Sequence, residues 1–391
     1  MVVKACMSSR SCMSSILRSS RAQWGPAQER GSFMKAAVLR EIGKPLTIED
    51  VTIGDVGPRE VRVAVKAVGV CHSDLHFAEG HVPFPLPTIL GHEAAGIVIE
   101  VGSDVRSVKR GDHVVGCLSA FCGHCASCVS GRLVLCSTGE TRRDAAMPPR
   151  LSIGGEAVHQ FVNLSAFAEE VLVHENALVA ISRDMPSDKA AVLGCAVLTG
   201  VGASIHSAGI RPGQTVAVIG CGGVGLSAIN GALLAGAGRI IAVDRAPAKL
   251  ELARRFGATD VIEAGEDLAH QILEMTRGGV DHAIEAIGLK STVEAAFAML
   301  RPGGIATVAG MMPVGVKIEL EGFALLGERR LQGSNMGSNH FPVDIPRLVD
   351  FYMQGRLNLD DLVAAHIRLD EIGSAFDALR KGETARSVIM F

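Results

Sequence analysis

Thr215-Val-Ala-Val-Ile219 runs straight into Gly220-Cys-Gly222-Gly223-Val224-Gly225. An apolar run of strand length, a glycine-rich turn and the start of a helix together form a dinucleotide-binding fingerprint. Gly220 allows the tight turn, and Gly222 lets the backbone approach a pyrophosphate. Gly225 lets helix and strand pack closely, with Gly223 and Val224 completing the loop. The helix start then offers free N–H groups to the phosphates. Nineteen residues beyond Gly225, Asp244 closes a second apolar strand, Arg239-Ile-Ile-Ala-Val. A carboxylate there accepts hydrogen bonds from ribose hydroxyls and repels a 2′-phosphate, so NAD is expected over NADP. Adjacent Arg245 points the other way. A glycine-rich turn in a nucleotide-free α/β fold is the alternative, and the strand–helix context with Asp244 weighs against it.

Outward from this motif, strand and helix alternate. A helix is expected to about Ala235 and another over 248–256, with strands at 280–287 and 305–309. Buried apolar strands alternating with helices predict a doubly wound parallel sheet. Upstream the signals are short strands and turns. Val61-Arg-Val-Ala-Val-Lys-Ala-Val68 alternates as a half-buried strand, as do Ala95-Gly-Ile-Val-Ile-Glu-Val-Gly102 and Asp112-His-Val-Val-Gly116. After Asn335 the pattern is mixed and closes with Ser387-Val-Ile-Met-Phe391. The expected division is a β-rich domain from 34–196 and 336–391, and a coenzyme domain from 197–335. Residues 1–33 are rich in Ser and Arg, with Glu29 the sole acid. They read as a disordered extension or the product of an upstream start codon, with a transit peptide as the alternative.

The chain has 391 residues, 48% of them hydrophobic, enough for the cores of two domains. Net charge is −3 with both signs interspersed, so no footprint for nucleic acid or an anionic membrane exists. No apolar run reaches membrane-spanning length. A small-molecule substrate is the default.

Cys122-Gly-His-Cys125-Ala-Ser-Cys128, followed by Cys136, puts four soft ligands in one loop. Four thiolates close a tetrahedral Zn²⁺ site and leave no position for chemistry, so this zinc is structural. Cys-x-x-Cys pairs without a secretory signal argue against disulfides, and an iron–sulfur cluster is the remaining alternative. Cys71, His92 and Cys195 stand apart from that loop. Singly, each reads as core packing or a satisfied structural residue. Beside a dinucleotide site they make two thiolates, one imidazole and an open position, the ligand count of a catalytic zinc. Cys117 and Cys221 read as small buried side chains, and His113, His159 and His174 as structural or exposed rather than as ligands.

With these motifs in this order, Gly-Val-Cys71-His-Ser-Asp74, Gly91-His92-Glu93, the four-cysteine loop, Gly194-Cys195-Ala-Val-Leu-Thr199-Gly and the coenzyme fingerprint, the chain resembles the zinc-dependent alcohol dehydrogenases of the medium-chain dehydrogenase/reductase superfamily. The resemblance covers 34–391. It implies a GroES-like, β-rich catalytic domain holding one catalytic and one structural zinc, joined to a Rossmann-fold NAD domain. It implies Cys71, His92 and Cys195 as catalytic zinc ligands and Glu93 as an acid able to approach the metal. Asp74 would orient the imidazole. Ser73 would take the substrate proton, and His76 would pass it on by way of the cofactor ribose. His72 and Arg386 would meet the pyrophosphate, Thr199 and Val224 the nicotinamide, and Lys249 the adenosine ribose. Leu118, Phe161, Met311 and Asn335 would line the substrate pocket. Three positions depart from the family pattern. His72 replaces the commoner Arg, Leu118 a bulky aromatic, and Glu140 stands where glutathione-dependent formaldehyde dehydrogenases carry Arg, with Arg142 and Arg143 nearby.

The expected activity is reversible hydride transfer between a primary or secondary alcohol and NAD, giving an aldehyde or ketone. The alternatives are an S-hydroxymethylglutathione dehydrogenase and a non-catalytic cofactor-binding relative. A cytoplasmic homodimer is expected. The family's dimers carry a long segment before the third catalytic ligand, as 137–194 is here, and would pair through an edge strand within 305–309 or the next run.

Overall fold

The computed structural model describes residues 32–144, 146–382 and 385–391. The described residues form two compact units, 32–194 with Ala365–Phe391, and Cys195–Ala364.

The first unit is built on two sheets. In one, Glu60–Val70 is central and antiparallel to Glu93–Val101, with Ser387–Met390 and Glu170–His174 also pairing to it. His113–Gly116 and Leu178–Ile181 extend it beyond Glu93–Val101, and Ala365–Ile367 closes the far edge. Alternation explains the central strand. Val61, Val63 and Val65 are buried, while Arg62, Ala64 and Lys66 are only partly so. The other sheet runs through Ser32–Leu39 and Thr47–Ile53, with the shorter pieces Leu151–Ile153, Glu156–Ala157, Thr88–Ile89 and His159–Gln160.

The second unit holds one six-stranded parallel sheet. Its spatial order is Asp260–Glu263, Arg239–Asp244, Thr215–Ile219, Val280–Glu285, Leu300–Val308 and Arg330–Gly333. Numbered along the chain this is 3-2-1-4-5-6, the doubly wound order expected from the sequence. All six residues of Val280–Glu285 are buried, as a parallel strand covered on both faces requires. Helix Gly223–Leu234 follows the first strand and packs on helix Ala196–Gly202. The approach is close, because a Cβ on Gly200 would lie 2.2 Å from the Val224 carbonyl oxygen. Among the described residues no single helix is long and apolar enough to cross a membrane.

Three sequence expectations shift or narrow. The chain returns to the first unit at Ala365, not at 336. The intervening helix Phe341–Met353 buries Phe341, Ile345, Leu348 and Val349, and its Asp344 meets His206 of the second unit at 3.1 Å. The turn before it presses the Gly337 carbonyl against Gly202. Next, the edge strand expected within 305–309 or the next run is the next run: 305–309 belongs to Leu300–Val308, paired on both sides, and the edge is Arg330–Gly333. Finally, Ser32 and Phe33 already pair with Ile53 and Thr52, while the rest of the expected N-terminal extension lies outside the described residues.

Candidate active site and metal centres

Gly69 on Glu60–Val70 lies opposite Glu93 on its antiparallel partner. The residue after the first strand, Cys71, and the residue before the second, His92, therefore emerge at the same end of the pair. Cys71 also caps helix His72–Ala78, whose third residue is Asp74. Asp74 is fully buried, and its carboxylate accepts from Cys71 N at 3.1 Å and Gly91 N at 3.0 Å. The same carboxylate holds His92 Nδ1 at 2.9 Å. One side chain thus fixes both loop ends and the imidazole.

Cys195 is the junction residue between the units. It follows Gly194, which is seated against the Gly116 carbonyl. One donor atom from each of Cys71, His92, Glu93 and Cys195 lies within 4.8 Å of the others, and all four residues are buried. Cysteine and histidine ligands about 2.0–2.3 Å from a zinc ion lie within that span. His92 fits the role on its own chemistry. Nδ1 is committed to Asp74, and Nε2 is buried without a hydrogen-bond partner among the described residues. Such an atom costs free energy unless a metal or proton meets it. Burial alone would push the imidazole down, but Asp74 outweighs it and holds His92 well above its ordinary value. Burial also pushes the Glu93 carboxyl up to about 7, against the pull of Arg386 at 3.2 Å.

The four cysteines of the 122–136 loop also converge, around helix Ala126–Val129 and the turn Leu133–Leu135. Cys125 Sγ is 3.5 Å from Cys128 Sγ, which is 3.9 Å from Cys122 Sγ. A tetrahedron of sulfurs with zinc–sulfur bonds of about 2.3 Å has edges near 3.8 Å, whereas a disulfide spans about 2.05 Å. Backbone N–H groups of Cys125 and Cys122 donate to the sulfurs of Cys122 and Cys136, each at 3.3 Å. Burial opposes thiolate at Cys122, but backbone donors from His124 and Cys125 bring it down to about 6. Four thiolates with oriented N–H donors suit a closed metal site.

In the second unit, Gly220 has φ +95°, and a Cβ on Gly225 would sit 1.7 Å from the Gly220 carbonyl oxygen. Around Gly222 nothing lies within 4 Å of a Cβ, which leaves room for a phosphate at the helix start. The Asp244 carboxylate accepts from Cys221 N at 2.8 Å and Ala246 N at 3.0 Å. Those bonds aim it, and each oxygen keeps a lone pair for a ribose hydroxyl. Lys249 lies half-buried on helix Pro247–Arg255. Thr199 is buried and donates to Met336 Sδ at 3.5 Å.

Other expected residues fall differently. Ser73 is half-buried and His72 exposed on the helix after Cys71. Arg386, expected on the pyrophosphate, is buried, donating to the Val70 carbonyl at 3.1 Å and pairing with Glu93. Arg143, a possible cation for a substrate carboxylate, is bound to Glu60 and the Asp55 carbonyl. Glu140 is held by His124 at 2.7 Å on the cysteine loop. Phe161 is buried with its ring 5.9 Å from that of His92, edge to face. Phe77 and Phe84 pack on Phe161 at 4.7 and 5.4 Å. Sequence reasoning missed these two. Phe77 sits at helical spacing from Ser73, five residues on from His72, a signal available in the chain.

A β-rich unit with a cysteine–histidine group and a four-cysteine loop, continuous with a Rossmann-type unit, defines a zinc-binding oxidoreductase. Residues 57–183 match the alcohol dehydrogenase GroES-like domain, and 223–353 the zinc-binding dehydrogenase domain. Alcohol dehydrogenase 1 of Pisum sativum is 37% identical over 365 residues, covering 91% of this chain and 96% of that protein. The S-(hydroxymethyl)glutathione dehydrogenase of Synechocystis sp. is 38% identical over 366 residues, covering 91% and 99%. The crystal structure of benzyl alcohol dehydrogenase from Acinetobacter calcoaceticus superposes with a TM-score of 0.87 at 34% identity, covering 92% of this chain and 99% of that one. The chain belongs to the zinc-dependent alcohol dehydrogenases of the medium-chain dehydrogenase/reductase superfamily, whose members use zinc and NAD(H).

Proposed function

We propose that this enzyme oxidises apolar primary or secondary alcohols with NAD, reversibly, at a zinc held by Cys71, His92 and Cys195. The observation that carries this reading is His92. Its Nε2 is buried without a hydrogen bond among the described residues, beside two thiols and next to the Phe161 ring. When bound, zinc supplies a Lewis acid that acidifies the alcohol hydroxyl, and the dinucleotide supplies the hydride acceptor. Asp74 holds the imidazole in the tautomer that leaves Nε2 for the metal. Ser73 Oγ accepts the hydroxyl proton, and His76 carries it toward water. Phe77, Phe84 and Phe161 exclude water and offer an apolar wall to the carbon chain. The Gly220–Gly225 turn and Asp244 hold the dinucleotide, and Asp244 disfavours a 2′-phosphate. A second zinc in the four-cysteine loop is structural. Reduced thiols at both sites suit the cytoplasm.

Two relatives of almost equal identity carry different activities, so glutathione dependence is the second reading. Glu140 and the commitment of Arg143 to Glu60 favour the simple alcohol. A homodimer is also proposed. Phe323 and Leu326 are each 78% exposed in the turn Gly322–Gly327, just ahead of edge strand Arg330–Gly333. An unpaired edge beside exposed apolar side chains suits two-fold pairing. Steady-state rates over alcohols of graded size, with NAD and NADP in parallel, test the activity. Light scattering tests the dimer, and a stable tetramer would overturn it.

A further inference from the structure

His76 and His81 share a hydrogen bond, Nδ1 to Nδ1, at 3.0 Å. The backbone enforces it. Helix His72–Ala78 ends at Glu79, and Gly80 takes the left-handed conformation at φ +77°. The His81 N–H then donates to the His76 carbonyl at 2.9 Å, and the Gly80 N–H to the Phe77 carbonyl at 3.1 Å. This is a Schellman ending, which lays the second residue past the helix against the one five positions earlier. Usually that contact is apolar, and here it joins two imidazoles, with ring centroids 5.3 Å apart.

We propose that His81 is the outer station of a proton relay that begins at His76. The inference rests on the reading above, in which His76 carries the substrate proton. An Nδ1–Nδ1 bond holds one proton, so the two rings have opposite tautomers. With His76 as donor, its Nε2 is bare and His81 carries its own proton on Nε2. A proton taken up at His76 Nε2 makes an imidazolium. The Nδ1 proton then crosses to His81 Nδ1, and His81 releases its Nε2 proton to water. One proton enters and one leaves, no electron moves, and the pair ends in the opposite tautomers. Exchange with water resets it.

The surroundings favour outward flow. His76 is half-buried, whereas the His81 side chain is 53% exposed. Burial, then His81 itself, hold His76 below its ordinary value, while Cys71 and Glu79 pull upward. His72 and Asp74 are the other titratable groups on this helix. The Glu79 carboxylate is 3.9 Å from His81 Nδ1. From helix Ile372–Lys381, Arg380 holds Glu79 at 2.7 Å and is itself paired with Asp377 at 2.6 Å.

His81→Gln is the test, because glutamine can keep a hydrogen bond but cannot pass a proton. The zinc-loaded full chain with saturating NAD and benzyl alcohol should turn over about tenfold slower in dilute buffer, with NAD affinity unchanged. Added imidazole should restore the rate in the variant and leave the wild type unmoved. In nitrogen-15 spectra of histidine-labelled, zinc-loaded protein without substrate, the His76 titration should move to higher pH in the variant. A purely structural His81 predicts lower thermal stability with neither imidazole rescue nor a moved titration, and that result overturns the relay. An active wild type indifferent to His81→Gln refutes the relay alone. An inactive wild type whose His76 titration still responds to the substitution refutes the enzymatic reading alone.

Discussion

Asp74 Oδ1 lies 2.9 Å from His92 Nδ1, and the same carboxylate binds the backbone N–H groups of Cys71 and Gly91. The residue that aims one proposed ligand also fixes the loops carrying two of them. Asp74→Asn keeps the shape but removes the charge that stabilises the metal-ready imidazole. Zinc affinity at this site should fall about 10- to 100-fold, measured by competition with a chromogenic chelator. An unchanged affinity would assign Asp74 a role in the fold alone.

The cysteine loop should separate from the active site when metal is counted. Elemental analysis of the purified chain should give two zinc ions. Cys71→Ala or His92→Ala should remove one and abolish turnover in a folded protein. Cys125→Ala should remove the other and lower the unfolding temperature or yield of folded protein, because ordering this loop depends on its metal. One zinc per chain in an active wild type would refute the two-site reading.

The second unit was legible in the sequence because parallel strands buried on both faces become continuous apolar runs. Thr215–Ile219 and Arg239–Asp244 needed no tertiary information. Leu300–Val308 was read only from 305, since Pro302-Gly-Gly interrupts its pattern where the register against Val280–Glu285 shifts. The return at Ala365 was not legible because Phe341–Met353 is an ordinary amphipathic helix, and such a helix does not say which unit it covers. The metal donors were legible through residue type and spacing. The burial of Arg386 against Glu93 was not, because it depends on Ser387–Met390 pairing with Glu60–Val70 across more than 300 residues.

Coenzyme choice should turn on Asp244. With two backbone donors already aiming it, the carboxylate presents its remaining lone pairs in a fixed direction. Asp244→Gly should weaken NAD binding by roughly 1–3 kcal/mol and shift preference toward NADP. Apparent affinities for both coenzymes, compared between wild type and variant, decide this. A wild type that uses NADP as efficiently as NAD contradicts the assigned role.

Acid should act on the first unit through Glu60. Burial alone would raise its carboxyl, but Arg143, Arg150 and the Gly57 N–H hold it down at about 2, from an ordinary 4.5. A carboxyl depressed in the folded state contributes stability that is complete above its unfolded value and is lost as pH falls through the folded one. The loss therefore runs from about pH 4.5 to about pH 2. Glu60→Gln should be less stable at neutral pH and flatter across that window. The difference between wild-type and variant melting curves isolates Glu60 from metal loss, which both share. Parallel curves down to pH 3 would show that the pair adds no pH-dependent stability.

Substrate choice should follow the aromatic wall and the missing cation. A glutathione adduct brings carboxylates that need fixed arginines to receive them. Arg143 is bound to Glu60, and the position that would carry such an arginine holds Glu140, tied to His124. Arg142 is exposed nearby and is a cation a loop movement could redirect. Phe161, packed on Phe77 and Phe84 and edge-on to His92, rewards apolar surface instead. Each methylene that such a wall buries is worth about 0.8 kcal/mol, so kcat/KM should rise from ethanol to hexanol, with benzyl alcohol also favoured. Phe161→Ala should flatten that series more than it lowers the ethanol rate. At equal enzyme, formaldehyde with glutathione should be the poorer substrate pair. A clear advantage for the glutathione adduct, abolished by Arg142→Ala, would show that the loop carries the specificity and would transfer the assignment to the glutathione-dependent activity.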